Sequence, residues 1–300
     1  MGTINIKSEK QTSEDERLLD RFNQLIGISE QKEQLLTHLQ WIMKPIDSKK
    51  WMKDHHPNGL ELVKRITKVP RLIILSGDVG CGKTELANCI GSKLSESLNN
   101  ESVWIYRAPS DIRGTGLVGE LANRMTSMFE SVKADSANRK YRILIIDEAD
   151  DISNSRENSE QHHEDRTGVN TLIKEIDKLS DESVKIAVIM ISNRTESFDP
   201  AIMRRSTIEI KFTRPNQTEL VELMTFICSG MKIEKNQLQN LIQICLDKSP
   251  GFTYSDLFNR IALPTLMQAI RNDEPYSYER ISHALKITEP SPQFKHHEND

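Results

Sequence analysis

A lysine followed by a threonine, placed after a run of spaced glycines, is suited to gripping phosphate. Residues 77–84 read Gly77-Asp78-Val79-Gly80-Cys81-Gly82-Lys83-Thr84. Glycines at this spacing let successive backbone N–H groups turn toward one anion, and a following helix adds the positive end of its dipole. Lys83 is placed to reach the outer phosphates and Thr84 to hold Mg²⁺ through its hydroxyl. About 65 residues downstream, a separation that fits two strands and the helices between them, stands Asp147-Glu148. Asp147 is expected to hold Mg²⁺ through its water shell, and Glu148 to polarise an attacking water. Asn193 and the pair Arg204-Arg205 complete the set. Asn193 is expected to face the terminal phosphate. The arginines, on a short helix, would either be solvated or complete a neighbouring subunit's site as an arginine finger does.

These residues need elements to hold them. Leu72-Ile73-Ile74-Leu75 is a short apolar run ending at the glycine loop and reads as a buried strand. Glu85-Leu86-Ala87-Asn88-Cys89-Ile90 reads as the helix that follows it. Strand, glycine loop, Lys-Thr and helix is the context a phosphate loop requires. Val103–Tyr106 predicts a second strand, and Arg142–Ile146 a third that delivers Asp147 and Glu148 at its C-terminal end, where open α/β sheets place their ligands. Ile186–Ile191 predicts a fourth ending at Asn193, and Thr207–Phe212 a fifth. Between them, Leu121, Met125, Met128 and Phe129 mark one helix, and Val169, Leu172, Ile173, Ile176 and Leu179 another.

The flanks are read more coarsely. Residues 1–12 predict a disordered leader. Ser13 and Glu16 form a capping box that starts a helix with Leu18, Leu19 and Phe22. A second helix follows Ser29, and Pro45 stops it. His55-His56 is expected in a solvated turn, and the polar stretch 151–166, with its His/Glu/Asp cluster, in an exposed loop. From Arg214 the pattern turns helical: Asn216 and Glu219 cap the first helix, Gly251–Leu257 open the third, Pro264 kinks it, and a polar tail follows Ile287.

Composition narrows the classes. The chain has 300 residues, 37% hydrophobic and 28% charged, as ordinary soluble domains do. A formal charge of -4 argues against a general binder of nucleic acid or of anionic membranes. No apolar run approaches the ~20 residues a membrane helix needs. The first ten residues are too polar for a secretory signal. Four scattered cysteines indicate free thiols in a reducing cytoplasm.

Taken in order, phosphate loop, Asp-Glu, Asn-Arg, Arg pair and helical bundle resemble the AAA+ ATPases over residues 20–287. Ile26-Gly27-Ile28 matches the segment that packs on adenine in that family. Asn193 matches its polar sensor, Arg204 its trans arginine finger, with Arg205 a second, and Gly116-Leu117-Val118 its substrate-gripping pore loop, here without the usual aromatic. The resemblance implies ATP and Mg²⁺ as cofactors. It implies nucleotide contacts from Ile26, Gly27, Ile28, Asp78, Val79, Gly80, Cys81, Gly82, Lys83, Thr84, Glu85, Asn193 and Gly251. Ser255 stands where some members carry a sensing arginine, so that role is not assigned.

Two strings, Arg113–Glu120 and His162–Arg166 with Val169–Ile173, resemble the bacterial relatives of pachytene-checkpoint ATPases, which sit in CBASS anti-phage operons and remodel HORMA-domain proteins. The expectation is therefore an α/β P-loop NTPase with a five-stranded parallel sheet and a small helical lid. Its parts would be a leader and short helix at 1–20, the ATPase domain at 21–213, the lid at 214–288 and a disordered tail at 289–300. It would act as a homo-hexamer that threads or disassembles a HORMA-domain protein, with no membrane and no nucleic acid. The alternative is an ATPase of DNA transactions such as helicase or clamp loading, which predicts a basic stripe near the pore.

Overall fold

The computed structural model describes residues 6–44, 48–63, 70–109, 112, 119–134, 139–150, 162–179, 185–194 and 198–293. By internal contacts the chain divides into two units. One comprises Met1–Phe22, Lys32–Ser76 and Thr84–Ile210; the other comprises Asn23–Gln31, Gly77–Lys83 and Lys211–Asp300. The second unit thus contains the phosphate loop and the Ile26–Ile28 segment along with the C-terminal helices.

In chain order the first run of elements is β1 (Lys7–Gln11), α1 (Glu16–Asn23), α2 (Ser29–Met43), α3 (Ser48–His55), β2 (Leu72–Gly77) and α4 (Lys83–Ser97). Then come β3 (Val103–Arg107), α5 (Glu120–Ala134), β4 (Tyr141–Ile146), α6 (His162–Leu179), β5 (Lys185–Ser192), α7 (Pro200–Met203) and β6 (Ser206–Phe212). The strands make one sheet in the order β1-β3-β4-β5-β2-β6. Pairs β3/β4, β4/β5 and β5/β2 are parallel. Every residue of β4 is buried, as is all of β5 but its first. Helices cover both faces of such a sheet, so its strands read as unbroken apolar runs. Each fully buried Leu, Ile or Val in them contributes about 1.5–3 kcal/mol over its exposed state. Leu144, Ile146, Val188 and Met190 share one core with Met125, Met128 and Phe129 of α5 and Leu172, Ile173 and Ile176 of α6.

The sheet has six strands, not five. β1 lies antiparallel on β3, with Lys7 opposite Arg107 and Gln11 opposite Val103. The expected leader is therefore structured from Lys7. Its sequence, Lys-Ser-Glu-Lys-Gln, has no apolar alternation to betray a strand. Polar contacts hold it instead. Glu9 pairs with Arg107 at 2.8 Å, and the buried Gln11 donates to the Asn88 carbonyl at 2.6 Å. Two helix starts also differ from expectation. α1 is capped by Asp15, whose carboxylate accepts the Leu18 N–H at 3.1 Å, rather than by Ser13. α6 begins at His162, so His162–Arg166 are helical rather than loop. His55 closes α3 and His56 enters the turn that follows. Arg142, wholly buried on β4, donates to the Lys133 carbonyl at 3.0 Å and to that of Val132, and so caps the end of α5.

In the second unit α8 (Gln217–Ile227), α9 (Lys235–Leu246), a π-helical turn (Asp256–Ala262), α10 (Leu263–Arg271) and α11 (Tyr278–Ile287) form a helical bundle. Asn216 and Glu219 make the expected capping box. At Pro264 the helix does not simply kink. The preceding turn widens, with Leu263 N–H reaching the Phe258 carbonyl, which accommodates the donor that proline lacks. The chain past Ile287 is pinned rather than loose as far as Ser291, whose N–H and Oγ both donate to the Asp256 carboxylate, at 3.1 and 2.6 Å.

Candidate active site

The phosphate loop is built against its own unit. Gly77 has φ 129°, and a Cβ there would stand 1.9 Å from the Phe212 carbonyl oxygen, so no other residue fits. At Gly80 (φ 77°) a Cβ would meet Ser255 Cβ and Thr253 Oγ1 at 3.0 Å. The Gly80 carbonyl accepts the Ser255 N–H at 3.0 Å. Lys83 is 4% exposed, and its ammonium donates to the Gly77 and Asp78 carbonyls at 2.8 Å each. The lysine is thus held over the loop by backbone oxygens.

Beside the loop lies a cavity of about 260 Å³. Leu25, Ile26, Ile28, Gly80–Gly82, Tyr254 and Phe258 are among the residues that line it. A mostly apolar slot with a few polar edges suits a flat heterocycle. The Gly27 carbonyl accepts the Tyr254 hydroxyl at 2.8 Å. Burial, then nearby Glu219, raises the Tyr254 phenol well above its usual range, so the hydroxyl stays protonated and keeps donating. Burial likewise pushes the Cys81 thiol up to about 12. Cys81 is therefore a neutral thiol at physiological pH and brings no thiolate to an anion site.

The first unit carries the carboxylates. Thr84, the second residue of α4, donates its hydroxyl to Asp147 Oδ2 at 2.9 Å. Asp147 Oδ1 accepts the Glu148 N–H at 2.9 Å. Glu148 stands in left-handed backbone (φ 51°) and is exposed. A bulky residue held there carries a conformational cost typical of functional turns. Ala149 N–H reaches the Ile191 carbonyl at 2.8 Å, fixing this turn beside the end of β5, and Asn193 lies just beyond that end. Hydroxyl and carboxylate oxygens within one hydrogen bond are the hard donors that Mg²⁺ takes, so Thr84 and Asp147 fit that ion.

Other residues expected at the nucleotide have protein partners or positions of their own. Glu85 is held by Arg21 through two hydrogen bonds, 2.7 and 2.9 Å, and does not line the cavity. The Asp78 carboxylate turns to Arg214, and Val79 is exposed. Gly251 is not at the cavity either; its carbonyl accepts from Arg214 Nη1. Asp199 caps α7 through the Ala201 N–H at 2.7 Å, with Pro200 next. That short helix leaves Arg204 exposed, while Arg205 Nε reaches both Asp177 oxygens at 3.0 Å. Gly116, Leu117 and Val118 lie outside the described residues.

The model of the ATPase family associated with various cellular activities (AAA) matches residues 73–215, from β2 to just past β6. CD-NTase-associated protein 6 of Escherichia coli strain MS 115-1 is 33% identical over 289 residues, covering 92% of this chain and 91% of that protein. The chain belongs to the AAA ATPase family. Two solved structures extend the likeness to the whole fold. A chain of the E. coli MS115-1 HORMA:CdnC:Trip13 complex matches with a TM-score of 0.85 at 29% identity, over 97% of this chain and 98% of that one. Rhizobiales Trip13 matches with a TM-score of 0.72 at 28% identity, over 95% and 98%.

As an AAA ATPase the chain binds and hydrolyses ATP. Three residues of this AAA ATPase escaped the reading of its sequence. Tyr254 and Phe258 wall the cavity, and Arg214 holds the loop's aspartate. Tyr254 and Phe258 are one helical turn apart, a spacing that also describes any buried helix face, and Arg214 looks like a loop cation. No helix among the described residues is long and apolar enough to cross a membrane.

Proposed function

We propose that the chain is an ATP-driven protein remodeller that works as a ring of six copies in the bacterial cytoplasm, and that its client is a HORMA-domain protein of CBASS anti-phage signalling. The observation that carries the reading is the turn Asp147-Glu148. One carboxylate is tied to the Thr84 hydroxyl, and the next is held out, exposed, in left-handed backbone. In this reading Ile26 and Ile28 with Tyr254 sandwich the adenine, and Lys83 meets the outer phosphates. Thr84 and Asp147 hold Mg²⁺, which would neutralise charge on the phosphates. Glu148 takes the proton of the attacking water, and Asn193 orients it. Arg204, exposed and unpaired among the described residues, serves the neighbouring subunit's nucleotide. Leu117 and Val118 would grip the client. The HORMA assignment is supported by likeness to a chain solved within a HORMA:CdnC:Trip13 complex.

The test is a substrate trap. Glu148→Gln with ATP should retain a HORMA-domain protein from the same operon in a stable assembly, whereas Lys83→Ala should retain none. Equal capture by both variants, or none by Glu148→Gln when ATP is bound, would contradict the reading.

A further inference from the structure

An aspartate inside a phosphate loop is an awkward choice, because its charge repels the ligand and attracts the lysine meant for it. Asp78 is such a residue. Its own carbonyl is one of the two that hold Lys83 Nζ, at 2.8 Å. Its carboxylate, though, is committed elsewhere. Oδ1 accepts the Val79 N–H at 2.9 Å and Oδ2 accepts Arg214 Nε at 2.6 Å. The pair is largely shielded, with Arg214 9% and Asp78 16% exposed at the side chain. Arg214 Nη1 donates onward to the Gly251 carbonyl, and buried Nη2 has no acceptor among the described residues. The loop, the chain just after β6 and Gly251, ahead of the π-helical turn, are thereby joined by one guanidinium, all within the second unit.

We propose that Arg214 is a positioning residue for the nucleotide. It neutralises Asp78, so that the loop presents no uncompensated carboxylate to the phosphates. Removing Arg214 alone leaves a shielded, uncompensated carboxylate one residue from Gly77 and five from Lys83, where it repels a triphosphate. Removing both charges lifts the penalty. The effect is electrostatic, so it grows with the number of phosphates and vanishes for an uncharged ligand.

The inference rests on the nucleotide-binding reading, and one experiment separates the two. Affinities of the full chain for ATP, ADP, AMP and adenosine are measured for wild type, Arg214→Met, Asp78→Asn and the double variant, with thermal melts to establish folding. For Arg214→Met the expected loss is about tenfold for ATP, smaller for AMP and under about twofold for adenosine. The double variant should return ATP affinity to within about threefold of wild type. Asp78→Asn should bind ATP at least as tightly as wild type. That last arm stands even if Arg214→Met fails to fold. The inference is overturned if Arg214→Met weakens adenosine as much as ATP, if the double variant is as weak as Arg214→Met, or if Asp78→Asn loses ATP. Wild type that binds no ATP would instead sink the nucleotide reading itself.

Discussion

Arg205 is engaged at home, with Nε on both oxygens of Asp177 and Nη1 on the Ala201 carbonyl at 3.1 Å. Arg204, one residue earlier, ends α7 in solvent. The pair therefore separates into an arginine engaged within its own chain and one left exposed. Arg204→Ala is expected to keep ATP affinity and lose roughly 10³-fold in turnover, the usual value of an arginine finger. Mixing it with Glu148→Gln should restore part of the activity at mixed interfaces, read as phosphate release. Arg205→Ala breaks a half-exposed ion pair and should cost under about 1 kcal/mol in denaturant titration. At this scale the sequence was most informative where chemistry needs a fixed spacing. Gly77–Thr84 and Asp147-Glu148 were legible because few alternatives carry them. Arg214 was not, since nothing in Thr-Arg-Pro shows that its partner lies 136 positions back.

Elements were legible where burial leaves an apolar run, and hidden where polar bonds do the holding. β4 and β5 announce themselves; β1, built from Lys, Ser, Glu and Gln, does not. The same holds for the pinned end of the chain, where Ser291 belongs to a polar stretch but lands on a buried carboxylate. Asp256 is 1% exposed. Burial alone would raise its pKa, but hydrogen bonds from Ser291, the Thr253 N–H and Arg260 together outweigh it and hold the group well below the usual carboxylate range. A depressed folded value stabilises the fold above the unfolded pKa, near 3.8, and that stability is lost as pH falls through the folded value. Asp256→Asn should therefore lower the stability of the helical bundle at pH 7 by about 1–3 kcal/mol. The gap to wild type should narrow as pH drops below 3.8, measured by urea titration at each pH. A gap that widened in acid would refute the assignment.

At the scale of the whole molecule, phosphate chemistry in one chain would do mechanical work on another protein. The proposed ring would give Arg204 a partner, since it has none in its own subunit among the described residues. A net charge of -4 favours a protein client over a nucleic acid. The most direct measurement follows a preformed complex of a HORMA-domain protein and its nucleotidyltransferase after adding this chain with ATP. The account predicts that wild type dissociates the complex while consuming ATP, and that Lys83→Ala and Glu148→Gln do not. A complex that stays intact while wild type hydrolyses ATP, or that falls apart equally with Lys83→Ala, would contradict it.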